Sequence, residues 1–171
     1  MLKTKSLFLL IALFISSQNV NAQYEADTES IQSTIDALYE VISGDAGVER
    51  DWLRFKNLFA EDGRLIPTFT DQDGNIRYLY WTLDEYIKRA GAGLEQNGFW
   101  ESELSNKIEQ FGNIAHVFTT YDSKRTVDGA VIARGINSVQ MFNDGSRWHI
   151  VTVFWSSENP NHPIPEKYLD N

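Results

Sequence analysis

Apolar positions follow a mainly helical rhythm in the first half of this chain and a strand rhythm in the second. Ile31, Ile35, Leu38, Tyr39 and Ile42 recur at helical spacing, and Gly44 follows where a helix-ending glycine belongs. Trp52, Phe55, Leu58 and Phe59 repeat the pattern over a second, shorter helix from about Glu49 to Ala60, ended by Gly63. Arg64–Thr70 then reads as a short strand and Asp71-Gln72-Asp73-Gly74-Asn75 as a turn. Thr82-Leu83-Asp84-Glu85 has the form of a capping box, in which hydroxyl and carboxylate each satisfy a backbone N–H left over at the helix start. It predicts a third helix from about Leu83 to Gln96 that buries Tyr86, Ile87 and Leu94, is weakened by Gly91 and Gly93, and stops at Asn97-Gly98. Beyond Gly98 the pattern is that of strands: Phe99–Phe111, Ile114–Arg125, Ala130–Asn143 and Arg147–Ser157. Gly112-Asn113, Asp128-Gly129 and Asn143-Asp144-Gly145-Ser146 form their turns.

Helices followed by a run of strands imply an α+β fold. Three N-terminal helices are expected to pack on a strongly bent, mostly antiparallel sheet, leaving an apolar pocket between them. The chain divides into three segments. Residues 1–22 read as a secretory signal peptide, with Lys3 and Lys5 ahead of an apolar run, Leu7 to Ile15, and a Val20-Asn21-Ala22 cleavage site before Gln23. That run is about nine residues long and too short to span a bilayer, so the reading is an exported protein, periplasmic or extracellular after cleavage, without stable membrane insertion. The domain occupies 23–158. Residues 159–171 form a proline-punctuated tail that cannot continue a central strand.

Composition narrows the function classes. The 171 residues include 24 Asp+Glu, 15 Lys+Arg and no Cys. Without Cys there is no disulfide scaffold, no Cys-ligated metal and no thiol nucleophile. A net charge of -9 disfavours nucleic acid and anionic membrane surfaces as partners. The three His fall at no recognised metal-ligand spacing, there is no Gly-x-Ser-x-Gly elbow, and Arg89-Ala90-Gly91-Ala92-Gly93 lacks the Lys of a phosphate loop. No cofactor and no metal are expected; a small molecule is.

Three stretches carry a family resemblance: Leu58-Phe59-Ala60-Glu61-Asp62-Gly63, Gly112-Asn113-Ile114-Ala115-His116-Val117, and Phe142-Asn143-Asp144-Gly145-Ser146-Arg147-Trp148-His149-Ile150-Val151. In order and spacing they resemble the NTF2-like superfamily, whose cone-shaped domains include SnoaL-like polyketide cyclases, ketosteroid isomerases and scytalone dehydratases. The resemblance spans Ile31 to Glu158. It implies a cone with a small-molecule pocket, open to enzymes and to non-catalytic binders alike. Placed on the isomerase pattern, the tyrosine of the first helix resembles Tyr39, and the terminal aromatic of the last strand matches Trp155. The positions of the general-base and oxyanion-hole aspartates fall on Pro67 and on or near Ser138, so the isomerase mechanism does not transfer.

The candidate chemistry therefore rests on Tyr39 as a donor and on His149 and His116 as groups that titrate near neutral pH. Trp52, Phe55, Tyr86, Phe118, Ser138, Val151, Val153 and Trp155 are the expected ligand-binding positions. Strand parity read from the family pattern turns Val151, Val153 and Trp155 inward and puts His149 on their face, while the facing of His116 stays open. Glu101, Glu103 and Glu109 alternate along one strand, which reads as a solvated or dimer-edge face. Turned inward, that face would make Glu103 a base with a pKa raised by burial. The leading function is an exported domain that binds a small, largely apolar ligand and acts on it by cofactor-free acid–base chemistry; the alternative is a non-catalytic, dimeric binding or assembly module.

Overall fold

Ser30 opens the first helix with a reciprocal cap, its hydroxyl accepting from the Ser33 N–H while the Ser33 hydroxyl accepts from the Ser30 N–H. From there α1 runs Ile31–Ile42 and buries Ile35, Leu38 and Tyr39 on one face. The computed structural model describes residues 23–169; the expected leader over 1–22 lies outside the described residues. Asp51 caps α2, Trp52–Asn57, by accepting from the Arg54 N–H. This second helix is shorter than its pattern suggested. Phe59 already belongs to β1, Phe59–Thr70, where it pairs with Ile150, and Gly63 sits inside that strand at a register shift rather than ending a helix.

Asp71 shapes the next turn, its Oδ1 accepting from the N–H groups of Asp73 and Asn75, and a short strand β2, Ile76–Tyr78, folds back on β1. The Thr82/Glu85 capping box forms as expected and starts α3, Leu83–Tyr86. A π-helical turn, Ile87–Gly91, continues into α4, Ala92–Asn97. Close packing explains a glycine there, since a Cβ on Gly91 would lie 2.9 Å from Trp52 Cζ2.

Four long strands complete the sheet: β3 Trp100–Phe111, β4 Ile114–Lys124, β5 Val131–Asn143 and β6 Trp148–Ser157. The strand order is β2-β1-β6-β5-β4-β3, with β1 and β6 parallel and every other pair antiparallel. The helices pack on one face, where Ile35, Phe55, Leu58, Val117, Val139 and Ile150 are fully buried. Each such side chain contributes on the order of 1.5–3 kcal/mol through loss of apolar surface from water. On the opposite face the tail returns across β4, where the Thr120 hydroxyl donates to the Tyr168 carbonyl at 2.6 Å and Phe118 packs on Tyr168.

Two bulges decide which residues face the helices. In β3 the register jumps between Glu103 (opposite Tyr121) and Ser105 (opposite Thr120), so Glu101 and Glu103 face inward and Glu109 pairs with the outward His116. In β6, Ile150 pairs with Met141 and Thr152 with Gln140, which leaves Val151 unpaired. Trp148 and Ile150 are buried before this bulge and Val153 after it, so inward parity reverses at Val151. His149 consequently does not share the face of Val153 and Trp155, and that expectation is corrected.

Candidate functional site

Between the helices and the concave face of the sheet lies a cavity of about 310 Å³. Its walls are largely apolar, with Leu38, Phe55, Leu65, Val153 and Trp155 among them, closed on the helix side by Tyr86 and Leu94. No Lys, Arg or His is among its lining residues. Glu101 on β3 and Asn137 on β5 bring polar side chains into it.

Glu101 is the only carboxylate among the lining residues of the cavity. Withdrawal from bulk water pushes its carboxyl up to about 7. Hydrogen bonding from Ser123 and the nearby Asn137 amide favour the carboxylate and hold the rise in check, while the negative charge of Asp122 adds to it. The Ser123 hydroxyl donates to Glu101 Oε2 at 3.0 Å. At the backbone, the Glu101 N–H donates to Ser43 Oγ, which ties the start of β3 to the end of α1.

Behind Asn137 runs a continuous polar relay. Asn137 Nδ2 donates to the Tyr39 hydroxyl at 3.1 Å, Tyr39 is 2.9 Å from Thr119 Oγ1, and Thr119 donates to Glu103 Oε2 at 2.7 Å. Because the Thr119 hydrogen is committed to Glu103, Tyr39 is the donor in the bond they share. Asn106 and Gln32 donate to the other oxygen of Glu103. Tyr39 is thus fully engaged, and burial pushes its phenol well above the usual range. It reaches the cavity only through Asn137. Glu103, the carboxylate that the sequence offered as a base, is spent on this relay.

The expected site residues separate into two groups. Phe55, Tyr86, Val153 and Trp155 line the cavity. Trp52 stands behind Phe55 at 5.6 Å in an edge-on contact, its indole N–H donating to Glu95 at 2.9 Å, and it does not line the cavity. His116, Phe118 and Ser138 lie on the convex face: His116 Nε2 is 2.9 Å from Ser138 Oγ, and Phe118 and Ser138 line a separate cleft of about 360 Å³ beneath the tail. Val151 occupies the bulge. His149 stands at the last hairpin, with Nε2 2.8 Å from Asp144 Oδ2 and Nδ1 3.2 Å from Arg147. The Ser146 hydroxyl first, then His149, holds the Asp144 carboxyl well below the usual carboxylate range. Neither histidine meets Tyr39, so the structure does not assemble the three catalytic candidates into one site. Among the described residues no cluster of three His, Asp or Glu side chains is arranged to hold a metal ion.

Sequence reasoning noted Glu101 but took its strand for a solvated edge. Its strand, Trp100–Phe111, is polar along most of its length, so no pattern in the sequence sets Glu101 apart from Glu103 and Glu109.

No family model matches the chain, and no curated protein is similar to it by sequence. Solved structures are similar in fold. An NTF2-like protein of unknown function from Pseudomonas putida superposes with a TM-score of 0.57 at 12% identity, over 79% of this chain and 90% of that one. An NTF2-like superfamily protein from Salmonella enterica gives 0.55 at 15% identity, over 87% and 94%. A provisionally named ketosteroid isomerase from Parabacteroides distasonis gives 0.52 at 15% identity, over 80% and 98%. The fold is NTF2-like.

Proposed function

We propose that this chain, an NTF2-like cone, binds a small, largely apolar ligand in the concave cavity and moves a proton on it with Glu101. The observation that supports this reading is a carboxyl titrating near neutral pH in an apolar wall. Such a group accepts a proton and returns it without a large driving-force penalty in either direction. Above about pH 7 Glu101 is a base; below it, an acid. The cone geometry supports a cofactor-free isomerase, cyclase or dehydratase type of reaction, with Ser123 and Asn137 fixing the carboxylate and the apolar walls excluding water from the reacting atoms. The protein works after export, as a mature chain that starts at Gln23, which the intact mass of the exported protein tests directly.

The experiment is proton exchange. The protein is incubated in D2O with a panel of enolisable ketones, and deuterium uptake is read by mass spectrometry alongside the Glu101→Gln variant. Uptake catalysed by the wild type, rising through about pH 7 and lost in the variant, supports the reading. Binding without exchange supports the non-catalytic module instead. Absence of both exchange and any retained ligand in native mass spectrometry overturns the proposal.

A further inference from the structure

Four tyrosines of the described chain are buried, and three of them have partners. Tyr24 donates to Asp51 at 2.7 Å, Tyr39 is held by Asn137 and Thr119, and Tyr121 is 3.3 Å from the Ser157 hydroxyl. Tyr86 is the exception. Its residue is only 8% exposed, it lines the cavity, and its hydroxyl has no hydrogen-bond partner among the described residues.

The ring is held firmly. Tyr86 closes α3 immediately before the π-helical turn, stacks on Phe55 with 5.4 Å between ring centres and 16° between planes, and lies 6.4 Å from Trp81. Phe55 is fully buried, so this stack cannot swing the hydroxyl out to solvent without opening the core. A phenol on an apolar cavity wall normally finds a hydrogen-bond partner. Here the position is kept polar inside an apolar wall, where a phenylalanine would serve packing equally well.

Burial, reinforced by the nearby charge of Glu101, pushes the Tyr86 phenol far above neutral pH, so it stays protonated and acts as a donor. The partner it lacks is therefore an acceptor. The same wall sets the partner's charge: with no Lys, Arg or His lining the cavity, an anionic ligand would meet Glu101 without a counter-charge.

We infer that Tyr86 is the recognition donor of the cavity, and that the ligand is an uncharged, largely apolar carbonyl compound whose oxygen accepts from the Tyr86 hydroxyl. This rests on the reading that the cavity takes a ligand, and it reassigns the donor role. The resemblance placed that role on Tyr39 of the first helix, which in this chain is closed into a relay, whereas Tyr86 of the third helix is left open.

The test uses two probes of matched shape, 2-acetylnaphthalene and 2-ethylnaphthalene, in equilibrium dialysis against the whole mature chain and its Tyr86→Phe variant. The wild type should bind the ketone about tenfold more tightly than the hydrocarbon, the size of one neutral hydrogen bond. Tyr86→Phe should abolish the difference by weakening ketone binding alone. Unfolding of the unliganded variant in urea should show no loss of stability, since no internal bond is removed. A ketone preference that survives Tyr86→Phe, or equal binding of both probes by the wild type, overturns the inference and leaves the cavity reading standing. Failure of both probes to bind overturns the two together. A marked loss of stability in the unliganded variant would assign the hydroxyl a structural partner and also overturn it.

Discussion

Replacing Glu101 by Gln should stabilise the protein at alkaline pH and leave it nearly unchanged in acid. In the folded chain the carboxyl titrates at about 7, against an ordinary 4.5. A raised carboxyl pKa means that the folded state holds its proton more tightly than the unfolded chain does. The favourable contribution is fully present below about pH 4.5, declines as pH rises from there to about 7, and above that the buried charge carries its whole cost. A gap of about 2.5 pH units corresponds to roughly 3 kcal/mol. Glutamine preserves the volume and can still accept from Ser123, so what the variant removes is the ionisation. At pH 8.5 Glu101→Gln should therefore be more stable by roughly 3 kcal/mol, a rise in Tm of about 6–12 °C for a domain of this size. At pH 4.5 the two proteins should unfold nearly together. Urea titrations at both pH values, followed by tryptophan fluorescence, measure the difference. An equal stability change at the two values would refute the reasoning, because it would show that Glu101 ionises as freely in the cavity as in water.

Three further outcomes follow from the same structure. Tyr39→Phe strands the Asn137 amide and one side of Thr119 in the core and should cost about 1–3 kcal/mol, read as a lower urea midpoint with an unchanged slope. His149→Ala should leave affinity for a cavity ligand unchanged in equilibrium dialysis, because its partners are Asp144 and Arg147 at the last hairpin; a marked drop in affinity would contradict the parity reversal at Val151. On the convex face Phe111, Ile114 and Phe142 are exposed and occupy one row across β3, β4 and β5, so a homodimer through this face is expected. Light scattering should give twice the mature mass, and Phe142→Lys should shift it toward the monomer.

Much of the fold was legible because its signals are local. The Thr82/Glu85 box, the stripe Ile31-Ile35-Leu38-Ile42 and the Gly-Asn, Asp-Gly and Asn-Asp-Gly-Ser turns each act over a few residues, and each stands close to where its pattern put it. β2 and the early start of β1 were not legible. Ile76–Tyr78 is too short to show a period, and Phe59 is drawn into the sheet by a parallel partner, Ile150, about ninety residues away, a long-range pairing that no local pattern encodes.

The candidate site was legible in its apolar half alone. Phe55, Tyr86, Val153 and Trp155 could be named from hydrophobic pattern and family resemblance, since apolar residues on the inner faces of helices and strands converge wherever the elements pack. Its polar half was decided by two single-residue bulges. A strand has period two, so one extra residue at Leu104 sends Glu109 outward while Glu101 stays in, and one at Val151 sends His149 outward while Trp155 turns in. Sequence thus determined which residues are apolar enough to enclose a cavity. Tertiary structure alone decided which charge faces it, because a bulge is set by the pairing of distant strands and leaves no mark on the composition of its own strand.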